Sequence, residues 1–121
     1  MGEMDYRCVA RCLDGFVQQL ALYYLKNQYR YYVSGLIPEG KDPTEVDAKL
    51  LRAYRVAIDK WERHRRKQAG FANVQYLRHD RRFLILATGP YGTHPFFEQE
   101  RGVRDAREVP IRVGDYELSY R

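Results

Sequence analysis

Between Asp5 and about Asn27, apolar residues recur every three or four positions: Val9, Cys12, Leu13, Phe16, Leu20, Tyr23 and Tyr24. That spacing lays them along one helical stripe, with Asp5 placed to cap the helix start. Gly15 costs such a helix about 1 kcal/mol relative to Ala but does not break its period. From Tyr29 to Ser34 the pattern changes to aromatic and β-branched residues in alternation, which predicts a strand running to about Ile37. The stretch 38–43 reads as a turn delivering the chain into a second helix. Asp42 supplies the cap, Pro43 the favoured first residue and Glu45 a capping-box partner. Val46, Leu50, Ala53 and Tyr54 form its expected buried stripe, and the β-branched stretch 56–58 ends it.

A third, short helix is bounded by Asp59 as N-cap, Glu62 as capping-box partner and Gly70 at the left-handed position after its end. Residues 71–77 then alternate, and 83–88 is an unbroken apolar run of strand length. With Arg78–Arg81 as a tight connection, the two make a hairpin whose second strand is central and buried. Residues 89–92 form a loop, Thr93 and Pro95 open a short helix over 96–100, and Gly102 closes it. Val109, Ile111 and Val113 alternate, Gly114 and Asp115 turn the chain, and Tyr116, Leu118 and Tyr120 alternate again. The expected fold is α+β. An N-terminal helix (1–27) packs on a core (28–121) built as a ferredoxin-like βαββαβ sandwich with a terminal β-hairpin, all in one domain, 1–121. In such a sandwich helices cover one face of an antiparallel sheet and leave the other open.

The composition is that of a folded protein, and it adds a bias in charge. The net charge is +5, with a pI near 9.3 and Arg far outnumbering Lys. No apolar run approaches the ~18 residues of a membrane span, and no signal-peptide layout is present, so no membrane partner and a cytoplasmic location are expected. Cys8 and Cys12 fall one turn apart on the apolar stripe and read as buried small hydrophobes. Zinc would need a further ligand pair that the chain lacks, so no metal and no cofactor are expected.

The densest chemical signal is the third helix. Lys60, Arg63, Arg65, Arg66 and Lys67 occupy about three turns beside Trp61, the only tryptophan. Cations packed so closely repel one another unless an anionic partner offsets them, which marks a phosphate-contacting element. Arg78, Arg81 and Arg82, with His79 and Asp80, form a second basic spot at the expected hairpin tip, which could lie at the same end of the domain. On the sheet face expected to be open, Arg30, Tyr32 and Ser34 have the chemistry of a nucleic-acid platform, which Asn73, Gln75, Arg112 and Tyr120 could share. The RNA-recognition-motif signature is absent, because 82–87 is too uniformly apolar. The loop 89–94 could hold an anion on backbone amides, but it lacks a P-loop lysine and an ordinary turn explains it.

These features predict a small basic nucleic-acid-binding protein, RNA ahead of DNA, without chemistry of its own, acting alone or within a nucleoprotein assembly. Its nucleic-acid residues would be Lys60, Arg63, Arg66, Lys67, Arg78, Arg81, Arg82, Arg30 and Tyr32. A second expectation is a subunit or adaptor that meets a protein partner or another copy of itself through the N-terminal helix. A third is metal-independent nuclease action by His79 or His94, paired with Asp80 or Glu98. No catalytic residue is assigned, since His64, His79 and His94 each stand alone in sequence.

Overall fold

The segment Arg82-Phe-Leu-Ile-Leu-Ala87 is apolar at both parities, so as a strand it must be covered on both sides. The computed structural model describes residues 13–20, 24, 27–56, 58, 60–114 and 116–118. Its elements are α1 (Leu13–Gln19), β1 (Tyr31–Leu36), α2 (Pro43–Ala53), α3 (Lys60–Gln68), β2 (Val74–His79), β3 (Arg82–Ala87), α4 (Pro95–Gln99), β4 (Arg104–Asp105), β5 (Ile111–Val113) and β6 (Tyr116–Leu118). The main sheet has the order β2-β3-β1-β4 with every neighbour antiparallel, and β5 and β6 form a separate two-stranded sheet. The fold is therefore α+β with antiparallel sheets.

On one side of the main sheet, Tyr32, Leu77, Leu84 and Leu86 pack with Phe16 of α1, Leu20, Tyr24, Tyr29 and the β5 residues Ile111 and Val113. On the other, Tyr31, Val74, Tyr76, Ile85 and Ala87 pack with Leu51 of α2, Tyr54, and Phe96 and Phe97 of α4. The expected open face is thus covered. Tyr32 is only 3% exposed, and its hydroxyl donates to the carbonyls of Val109 and Pro110 at 2.9 and 3.1 Å. Gln75 is buried too, its side chain donating to the Tyr29 hydroxyl at 3.2 Å. Tyrosine abundance here is largely core building: Tyr24, Tyr29, Tyr31, Tyr32, Tyr54 and Tyr76 are all buried. The reason is physical, since Leu84 and Leu86 cannot be left against water at the centre of the sheet.

The fourth strand of the sheet also differs from expectation. It is the two-residue β4, whereas Ile111–Val113 leaves the sheet to pair with β6. Arg104 and Asp105 have no apolar alternation to announce them. The Asp5 cap, most of the predicted N-terminal helix, Cys8, Cys12, Tyr23, Asp59 and Tyr120 lie outside the described residues.

Helix α2 begins as its sequence specifies. The Asp42 carboxylate accepts from the Thr44 amide at 3.0 Å and Pro43 is the first helical residue. Its buried face is rotated from the expected stripe, because Asp47 lies inside with Leu51 and Tyr54 while Ala53 is exposed. Asp47 is drawn in by Arg78, which grips it with a forked contact: Nε to Oδ1 at 2.7 Å and Nη2 to Oδ2 at 2.8 Å. The Tyr76 hydroxyl donates to the same Oδ1 at 2.7 Å. Arg78 is consequently not at a hairpin tip. Strand β2 continues through His79, and the turn is Asp80-Arg81, with Asp80 at a φ of 54°.

A buried ion pair costs desolvation on both charges, so removing one partner is more damaging than removing both. Asp47→Ala is expected to lower unfolding stability by about 3–5 kcal/mol in urea titrations. Pairing it with Arg78→Leu should recover part of that loss; a double variant as unstable as the sum of the two singles would show that the charges are not coupled.

Candidate functional site

Helix α3 is built from good helix formers and closes at Gly70, whose φ is 85°. Arg65 pairs with Glu62 at 2.7 Å along the helix, relieving one of its cations. No residue of α3 is buried, so apolar contact does not hold it in place. Polar fasteners do. The Arg63 guanidinium donates to the Val56 carbonyl at 3.1 Å, and that of Arg66 donates to the Ala72 carbonyl at 2.9 Å while lying over the Phe71 ring. From the sheet side, the Asn73 amide donates to the Arg63 carbonyl at 3.1 Å.

With those contacts fixed, Lys60, His64 and Lys67 fall at positions i, i+4 and i+7, on one outward row. The row and Arg63 form one wall of a basin of about 270 Å³, completed by Asn27, Gln28, Tyr29, Asn73, Thr88 and Gly89. No carboxylate lines it among the described residues. Two of its lining side chains carry a polar atom buried without a hydrogen-bond partner among the described residues, Arg63 Nε and Asn73 Oδ1, and Arg30 Nε is in the same condition. Arg30 lies nearby, with its guanidinium against Gly89, but it is engaged by the Tyr31 hydroxyl at 2.9 Å and lies over that ring.

The structure therefore brings together Lys60, Arg63 and Lys67 of the expected set and turns Arg66 away. Arg78 is committed to Asp47. Arg81 ties down the turn before α2, donating to the carbonyls of Pro38 and Lys41 at 2.6 and 3.0 Å. Arg82 borders a separate hollow with Ser34, Leu36 and Arg112. The two basic spots lie at opposite ends of the sheet, because Val74 pairs with Ala87 near α3 and His79 pairs with Arg82 at the far end. Five strand steps separate them by roughly 17 Å. Asn27, Gln28 and Thr88 were not legible as site residues, and Asn73, expected on the open sheet face, lines this basin instead, since they converge from three separate segments with no shared spacing.

The histidines are not brought together. His94 is the N-cap of α4: its Nδ1 accepts from the Phe96 amide at 3.1 Å, and its ring lies beside Tyr54. Burial, reinforced by Arg66 and Arg55, pushes its pKa down to about 4. His79 packs near Phe16 on the opposite side of the sheet. In the 89–94 loop the Thr93 hydroxyl accepts from the Ala72 amide and donates to the Pro90 carbonyl, so the loop braces the chain start of β2. Among the described residues there is no cluster suited to a metal ion, and no helix is long and apolar enough to cross a membrane. Comparison with protein-family models, curated proteins and solved structures finds no match to this chain.

A histidine with a lowered folded pKa is favoured in its neutral form by folding. Its contribution is fully present above the unfolded value near 6.5 and is lost as the pH falls toward about 4. The urea midpoint should accordingly drop between pH 6.5 and 4. His94→Asn, which retains a capping acceptor, should remove that component of the pH profile.

Proposed function

We propose that this chain is a nucleic-acid-binding protein without chemistry of its own, RNA ahead of DNA, docking phosphates on the Lys60–His64–Lys67 row of α3. The observation that carries the reading is the basin itself: Lys60, Arg63 and Lys67 converge on it with no lining carboxylate among the described residues. Cations gathered without internal anions raise the local potential and recruit an anionic partner. Trp61, 64% exposed beside Lys60, adds a flat surface of the kind nucleobases stack on. We read the supporting frame as ferredoxin-like. The β4-β1-β3-β2 order with antiparallel neighbours supports this, α1 and the β5–β6 hairpin being additions over the face such sandwiches leave open.

A second reading, a subunit of a larger assembly, draws on a different place. Pairing of β1 with β4 stops at Tyr32, so Val33–Leu36 has a sheet edge with no further strand among the described residues, and Leu36 is 69% exposed. Unprotected edges accept partner strands. Of the N-terminal aromatics that suggested this role, Phe16 and Tyr24 are buried within this chain, and Tyr23 lies outside the described residues. A larger mass in light scattering that Leu36→Lys returns to the monomer value would favour this reading.

The cleanest test of the first reading uses Lys60 and Lys67, whose side chains make no hydrogen bond among the described residues. Lys60→Glu with Lys67→Glu should weaken oligonucleotide binding more than tenfold in filter titrations while leaving the melting midpoint unchanged. With about three cations engaged, the log–log salt slope should be near −3 for duplex and near −2 for single strands. Unchanged affinity in the double variant would exclude this surface. Reversing Arg63 or Arg66 is a poorer test, because each change also strips a carbonyl of its donor and destabilises α3.

A further inference from the structure

We infer that the α3 basin receives an unpaired nucleotide, so that the preferred ligand is a single strand, with a neighbouring base stacked on Trp61. The inference rests on the nucleic-acid reading above and narrows it.

The first ground is the polarity of the basin floor. Asn73 is buried, and its orientation is fixed because its Nδ2 donates to the Arg63 carbonyl at 3.1 Å. That leaves Oδ1, an acceptor, without a partner among the described residues in a basin that borders Asn73. A phosphate oxygen brings it no donor and would be repelled. Oδ1 is closed to water, so a base N–H or amino group would satisfy it as the side chains around it part, and its desolvation has already occurred. Arg63, which also lines the basin, has at Nε a buried donor in the same condition. The edge of a nucleobase offers both kinds of group, whereas an inorganic anion offers one.

The second ground is Trp61. On a helix of 100° per residue it lies next to the Lys60–His64–Lys67 row, on the side away from the sheet. Its ring has Lys60 Nζ at 5.7 Å, and the residue is 64% exposed. The exposed Phe71 ring, by contrast, is already covered by Arg66. A strand laid across the row would set its phosphates over the lysines, one base into the basin and another on the indole. A duplex could meet the lysines, but its bases are held in the stack, where neither Asn73 nor Trp61 can reach them.

Trp61 is the only tryptophan, so its fluorescence reports the contact directly. The intact chain is titrated with twelve-nucleotide oligo(U), with oligo(dT) and with a blunt RNA duplex of the same length at one salt concentration. Single strands should quench the emission and bind at least tenfold more tightly than the duplex. By filter binding, Trp61→Ala should weaken oligo(U) about 5- to 100-fold, leave duplex binding and the melting midpoint unchanged, and be largely rescued by Trp61→Phe. Equal affinity for strand and duplex, binding without quenching, or an equal loss for both ligands in Trp61→Ala would overturn the single-strand inference and leave the broader reading intact. Failure of all three probes to bind at low salt would remove the broader reading as well.

Discussion

The organising constraint is the double-sided apolar character of β3. Leu84 and Leu86 on one side, with Ile85 and Ala87 on the other, are each nearly inaccessible to water. A strand of that kind requires two covers, and the chain supplies them from different regions: α1 with the β5–β6 hairpin above, α2 with α4 below. Once both faces are occupied, accessible clefts are displaced to the ends and edges of the sheet. The basin at the α3 end is a product of that displacement.

The arginines divide into internal fasteners and surface charges, and sequence does not distinguish them. Arg63, Arg66 and Arg81 hold backbone carbonyls, and Arg78 holds a buried carboxylate. The planar guanidinium, with several donors on a long apolar stem, suits this work better than lysine does. A high arginine count in a small basic protein therefore overstates its free charge. What remains for a partner at α3 is chiefly the lysine row, narrower than the run of cations suggests.

Much of the frame was legible because local chemistry agreed with tertiary demand. The Asp42-Pro43 start of α2, the basic helix ending at Gly70, the β2–β3 hairpin and the Gly114 turn each carry their own signal. Three features escaped for one reason: each depends on residues distant in sequence. Asp47 belongs inside only because Arg78 and Tyr76 arrive opposite it. Strand β4 exists because Ala106 donates to the Arg30 carbonyl, which no pattern near Arg104 anticipates. The separation of the two basic spots follows from strand length, since β2 runs two residues further, through His79, before the turn. At the site, the cationic wall was visible in sequence, whereas of the amide-bearing wall only Asn73 was, and on a different face.

Helix α3 buries none of its residues and is fastened through side-chain donors to carbonyls, which has a consequence for its motion. Opening it would uncover little apolar surface, so the heat capacity and denaturant sensitivity of that opening are small compared with those of the sheet. Amide exchange in α3 should then respond weakly to urea. It should respond more to guanidinium, an ion that resembles the very groups holding the helix and competes for the same carbonyls. A helix attached in this way can adjust against a ligand without disturbing the core beneath it.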